Sequence, residues 1–213
     1  MYLKKRRFLS DINKEMNEEV QQLEKSIGLP TGYYSKILSE DDWSFIIKLS
    51  ALFEAVATEA LSTKIGDSRI NESVSYLDYA NQKSGKIVFL KKMDVINTEQ
   101  FNFLKKLAEL RNKLVHTISS TNFSFNNYIE DFNSNQKDNF VKTFGHGVKQ
   151  ELNIAGQSFS RKSFTLENPK IAIWLTAHEI LACIHADYST HAQVEQLKTK
   201  YWDALVKKLA KDT

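Results

Sequence analysis

One cysteine, two prolines and seven glycines in 213 residues remove several fold classes before any pattern is read. Cys183 has no second cysteine to pair with, so an internal disulfide framework is excluded and a reducing compartment is the expected setting. Its place in the apolar run Ile180 to Ile184 marks it as a small core residue. Few glycines and prolines argue against a large sheet protein, which needs many tight turns. No unbroken apolar stretch reaches the ~20 residues a bilayer span requires. Lys4, Lys5, Arg6 and Arg7 give a basic start, but Asp11, Lys14, Glu15, Glu18 and Glu19 keep the next stretch from being apolar. That is not a signal peptide, so the cytoplasm is the expected location, with no membrane partner. Charge of one sign is also missing. Lys and Arg number 29 against 26 Asp and Glu, a net +3, which permits contact with nucleic acid without the concentrated charge of a dedicated DNA-binding domain. There is no Gly-rich phosphate loop, no zinc-finger spacing and no repeat of fixed period.

What remains is helical periodicity, and the expected fold is all-α: a compact helical bundle in a single domain. Phe8, Ile12, Met16, Val20, Leu23 and Ile27 recur every three or four residues, predicting a helix over Leu3–Ile27 that Gly28 and Pro30 stop. The basic cluster at its start opposes the helix dipole. It reads either as a solvated terminus or as an arm toward an acidic partner. A loop is expected over Leu29–Glu40. Asp41 or Asp42 then caps a central helix from Trp43 to Lys64, with Phe45, Ile46, Leu49, Leu52, Phe53, Val56 and Leu61 as a wide apolar stripe. Short helices are expected around Ser73–Tyr79 and Ser84–Met93. Thr98 is the expected cap of a longer helix whose apolar side is Phe101, Leu104, Leu107, Ala108, Leu114, Val115 and Ile118.

The stretch Ser119–Thr165 is rich in Asn and Ser with scattered Phe, and is expected to be a less regular insertion packed beside the bundle. A helix over Asn135–Phe144 ends at the Gly145-His146-Gly147 turn, and Gln157–Thr165 reads as extended or loop. Pro169 suits the first turn of a final helix, expected to bend near Asp187–Thr190. A last segment then carries Val194, Leu197, Tyr201, Trp202, Leu205, Val206 and Leu209 at helical spacing beside a lysine-rich face.

Candidate chemistry concentrates in Leu110-Arg111-Asn112-Lys113-Leu114-Val115-His116. Arg111 falls at the edge of the apolar face, two turns on from Leu104. An arginine offers a planar fork of donors to a phosphate, and a histidine holds or releases a proton near neutral pH. RNA carries its own nucleophile, the 2′-hydroxyl. Cutting it needs a proton acceptor, a proton donor and charge stabilisation at phosphorus. Arg111 and His116 lie five positions apart, about 140° around an ideal helix. A helix kink or a second copy of the chain is therefore needed to bring them to one atom. Both residues also have plain structural uses. Arg111 can pair with Glu54, Glu59 or Glu109, and His116 can close the helix at its negative end.

The string from Phe103 to His116 resembles the signature helix of the HEPN superfamily, with Arg111, Asn112 and His116 matching that family's Arg, polar and His positions in type and spacing. The string Asp41 to Leu49, continuing through Leu52-Phe53-Glu54-Ala55, looks like the long helix preceding it in bacterial members. The chain is also distantly similar to the mannitol operon repressor group, which departs at the motif helix. The resemblance covers about residues 40–120. It implies a helical, often dimeric protein and a metal-independent endoribonuclease without cofactors, of the kind used in toxin–antitoxin, antiphage or RNA-processing systems. Arg111 and His116 would be catalytic and Asn112 their polar partner, with RNA as substrate and an antitoxin or regulatory protein as further partner. Some relatives lack nuclease activity, so a non-catalytic nucleic-acid- or protein-binding regulator is the alternative.

Other candidates read more simply. His178 and His185 are seven apart and share a helix face, but a metal needs a third and usually a fourth ligand, so packing or hydrogen bonding is the expected role. His146, between glycines, is expected to be exposed. Tyr33 and Tyr34 read as local packing or as a platform for a base.

Overall fold

The computed structural model describes residues 14–116, 121–154 and 156–209. Helix α1 (Lys14–Ser26) turns Val20 and Leu23 into the core; the expected Phe8, Ile12 and basic cluster lie outside the described residues, as does Ile118. Helix α1 stops at Gly28, whose φ of 75° a glycine adopts without a Cβ clash. The expected loop over 29–40 contains a further helix, α2 (Tyr33–Ile37). Its start carries no cap of its own. Glu24 of α1 supplies one: its carboxylate accepts from the Gly32 N–H at 2.6 Å and the Tyr34 N–H at 2.7 Å. A cap delivered from another helix leaves no local sequence signal.

Helix α3 (Asp42–Ile65) is the central element. The Asp41 side chain accepts from the Ser44 N–H at 2.9 Å, which starts it. Gly66, at φ 70°, ends it. The expected stripe is buried, together with Ser50, Ala57 and Ala60. A 3₁₀ turn (Ser68–Ile70) leads to α4 (Asn71–Tyr76), which ends before the expected Tyr79 because Leu77 is extended. Helix α5 (Lys86–Lys92) follows, then α6 (Thr98–Val115). The cap of α6 is Asn97 rather than Thr98. Asn97 and Gln100 exchange side-chain-to-backbone hydrogen bonds, each 2.9 Å, in a capping box.

The less regular middle of the chain holds two helices and a hairpin, and the two helices also reach the main core. Helices α7 (Phe125–Glu130) and α8 (Ser134–Phe144) send Phe125, Ile129, Phe140 and Phe144 into the main core. Edge-on aromatic contacts join Phe125 to Phe45, and Phe144 to Phe103. The irregular part is a hairpin of β1 (Glu151–Ile154) and β2 (Gln157–Ser160), paired antiparallel with Leu152 opposite Phe159. Helix α9 (Arg161–Glu167) follows where extended chain or loop was expected. Val148, Phe164 and Ala172 form a small second core beneath it.

Helix α10 (Pro169–Leu209) is continuous through Asp187–Thr190, where a bend was expected. Ser189 and Thr190 hydroxyls bond back to the Ala186 carbonyl within the helix. Lys170 pairs with Asp42 at 3.3 Å and Asp187 with Lys64 at 2.8 Å, so α10 and α3 run side by side in the same direction. One expectation fails on this helix. Cys183 is exposed, facing away from the buried stripe of Ile180, Leu181 and Ile184. Val194, Leu197 and Tyr201 are also exposed, because α10 continues past the end of the elements that cover its first half. Among the described residues, no helix is long and apolar enough to cross a membrane.

Glu24 is buried and fully used, so its removal leaves two backbone donors without partners. Glu24→Ala is expected to lower the unfolding free energy by about 2–4 kcal/mol. Urea unfolding measures this, and an unchanged midpoint would refute the capping role.

Candidate functional site

The inner side of α6 is fixed by Phe103, Leu104, Leu107, Leu110 and Leu114, all buried. Its far end is tied to the start of α3 by the Trp43 indole N–H, which donates to the Leu114 carbonyl at 3.3 Å. With that side committed to the core, Arg111, Asn112 and His116 are left on the exposed surface. An Arg111 Nη1–H donates to Asn112 Oδ1 at 3.0 Å. Glu109 pairs with Lys106 at 2.6 Å, and Glu54 lies 3.9 Å from Lys86. Among the described residues no ion pair engages Arg111, which corrects the expectation that Glu54, Glu59 or Glu109 pairs with it.

Arg111 and Asn112 line a groove of about 400 Å³ with Ser50 and Glu54 of α3 and the segment Ser75–Ala80. His116 lies outside this groove, at the C-cap of α6 with φ −84°. One copy of the chain thus brings Arg111 and Asn112 together and leaves His116 apart. The sequence reading missed groups in and beside the groove. Lys86, which does not line it, is 2% exposed, and its ammonium donates to the Ser75 carbonyl at 3.0 Å. Tyr79 lines the groove, and burial, with the nearby Glu54 charge, pushes its phenol pKa far up, so it stays an O–H. Ser50 had a legible signal: it stands four residues from Ile46 inside an otherwise apolar stripe. Lys86 and Tyr79 had none: Lys86 bonds to Ser75, outside its own helix, and the groove that Tyr79 lines is assembled from separate segments of the chain.

The other histidines sort into packing roles. His178 is 2% exposed, lies beside the Tyr34 and Trp174 rings, and its Nε2–H donates to Asn17 Oδ1 at 3.1 Å. His185 pairs through Nδ1 with Glu19. Among the described residues, no group of His, Cys, Asp and Glu is placed to hold a metal ion. His146 is half-buried rather than exposed, since the flanking turn presses against α10: the Gly147 N–H meets Thr176 Oγ1 at 3.2 Å, and a Cβ there would lie 2.7 Å from the Thr176 Cα. Tyr34 is a core residue whose hydroxyl donates to the Trp174 carbonyl, so it offers no platform for a base. No protein-family model matches the chain, and no curated protein or solved structure does either.

Burial holds the His178 imidazole down at about 4, below the 6.5 of the free ring. The unfolded chain binds this proton through that interval and the folded chain does not. Stability from this residue is therefore full above the unfolded pKa and falls with pH, by about 2 kcal/mol between about pH 6.5 and 5. His178→Gln, which keeps an N–H for Asn17, is expected to flatten that part of the profile. Equal pH dependence of urea unfolding in both proteins would rule out His178 as its source.

Proposed function

We propose that this chain is a metal-independent endoribonuclease that cuts single-stranded RNA as a homodimer. The observation that supports it is the solvent-facing Arg111–Asn112 pair at a groove, with His116 exposed at the end of the same helix. Asn112 occupies one guanidinium N–H of Arg111 and orients the fork, and the remaining donors face a phosphate. In the cleavage step the 2′-oxygen attacks phosphorus, the P–O5′ bond breaks, and the products are a 2′,3′-cyclic phosphate and a 5′-hydroxyl. One imidazole takes the 2′-hydroxyl proton and a protonated one gives a proton to the leaving oxygen. Two copies of His116 supply both, and Arg111 stabilises the charge that builds on the phosphoryl oxygens.

A second reading, a nucleic-acid- or protein-binding regulator without cleavage, is favoured by one observation: His116 does not line the groove of Arg111 and Asn112. The two readings separate in one assay. The purified protein is expected to cut single-stranded RNA in excess chelator. His116→Ala should lower the rate by about 10²–10⁴-fold and Arg111→Ala by about 10²–10³-fold. Intact RNA across varied sequences, with binding retained, would select the regulator.

A further inference from the structure

The groove beside Arg111 has more chemistry than a phosphate clamp needs. Its walls include Ser50 and Glu54 of α3, Tyr76, Asp78 and Tyr79 at and beyond the end of α4, and Arg111 and Asn112 of α6. The Asp78 carboxylate accepts from the Ala80 and Asn81 N–H groups. Two polar atoms in it stand out. Ser50 is 5% exposed, and its hydroxyl has no hydrogen-bond partner among the described residues; the buried Tyr79 hydroxyl has none either. Buried polar atoms in folded proteins are nearly always paired. Two unpaired hydroxyls on residues that line one groove mark a place where a ligand supplies the partners. Each can donate and accept.

The remaining groups define the ligand. Arg111 and Asn112 present N–H donors at one end, suited to an anionic oxygen. Glu54 is half-exposed with its carboxylate 3.9 Å from the buried Lys86 ammonium, so it accepts from ribose hydroxyls or an exocyclic amine. Tyr76 is 81% exposed and offers a ring face at the rim. The volume of about 400 Å³ is in the range of small-ligand sites. Adjacent N–H donors for an anion, hydroxyls and a carboxylate that donate or accept, and an aromatic face together match one chemical class.

We infer that this groove binds a nucleoside monophosphate unit, with its phosphate at Arg111 and Asn112 and its sugar or base against Ser50, Glu54 and Tyr79. The unit comes either from an RNA strand or from a free nucleotide. Its RNA form rests on the ribonuclease reading and makes the groove the subsite that selects the nucleotide beside the cleaved bond. The groove itself is built by a single copy.

Calorimetric titration of the whole protein tests this with two kinds of probe. One is the set of AMP, GMP, CMP and UMP. The other is a short single-stranded oligonucleotide with 2′-deoxy sugars, which cannot be cut by 2′-hydroxyl attack. Binding of either probe is expected, weakened about three- to tenfold by Tyr79→Phe and by Ser50→Ala, each of which removes only a hydroxyl. Glu54→Gln should change the ranking of the four bases. Binding of the mononucleotides alone assigns a free nucleotide, and binding of the oligonucleotide alone assigns a strand residue. Binding of neither probe, affinity insensitive to both hydroxyl deletions, or inorganic phosphate binding as tightly as the mononucleotides would overturn the inference. Loss of RNA cleavage with this binding intact would remove only the ribonuclease reading.

Discussion

Burial of α3 is the constraint on which the arrangement depends. Phe45, Ile46, Leu49, Phe53, Val56 and Leu61 are each at most 1% exposed, and each such side chain stabilises the fold by about 1.5–3 kcal/mol before conformational entropy is counted. A helix buried over so much of its circumference needs cover from several directions. The chain supplies it with α5, α6, α7 and α10. Asp42 binds two of these at once, accepting from the Phe125 N–H and pairing with Lys170. Once α6 is committed to this cover through Leu107, Leu110 and Leu114, its period leaves no choice about Arg111 and Asn112. They face outward, and they do so over the gap beside Ala108, whose short side chain lines the groove instead of filling it.

Glu24 and the groove show two different uses of polar atoms. Glu24 is as buried as the apolar core, yet both its oxygens accept from backbone donors. It is accounted for by structure. Lys86 belongs with it: a buried ammonium is costly alone, and the Ser75 carbonyl and Glu54 take it up, holding the end of α4 against α5. Ser50 and Tyr79 are not accounted for in this way. They line the same groove as Arg111, so the unexplained polarity and the exposed cation meet in one place.

The sequence made the α3 and α6 helices legible because their signals are local: an Asp before an apolar stripe, and a stripe at helical spacing. What failed to show was whatever depended on a distant partner. The cap of α2 comes from Glu24, and the place of Phe125 and Phe144 in the main core is set by Phe45 and Phe103. Irregular spacing made these phenylalanines look like an insertion. On α10 periodicity gave the helix but not its cover: Val194, Leu197 and Tyr201 keep helical spacing and are exposed. At the site, Arg111 and Asn112 were readable from one string. The groove was not, since its walls are up to 62 residues apart in the chain, from Ser50 to Asn112.

The separation of Arg111 and His116 sets the geometry of the proposed dimer. Five positions along α6 are a rise of about 7.5 Å and a turn of about 140°. A two-fold axis beside the helix, level with the midpoint of residues 113 and 114, pairs two copies of α6 antiparallel and sets Arg111 of one level with His116 of the other. The surface near that axis suits the contact. Val115 is 39% exposed on the side of α6 between Arg111 and His116, and Lys113 lies round the helix from it, over the Tyr128 ring at 5.7 Å. The proposed cleavage step needs two copies, whereas the groove is built by one.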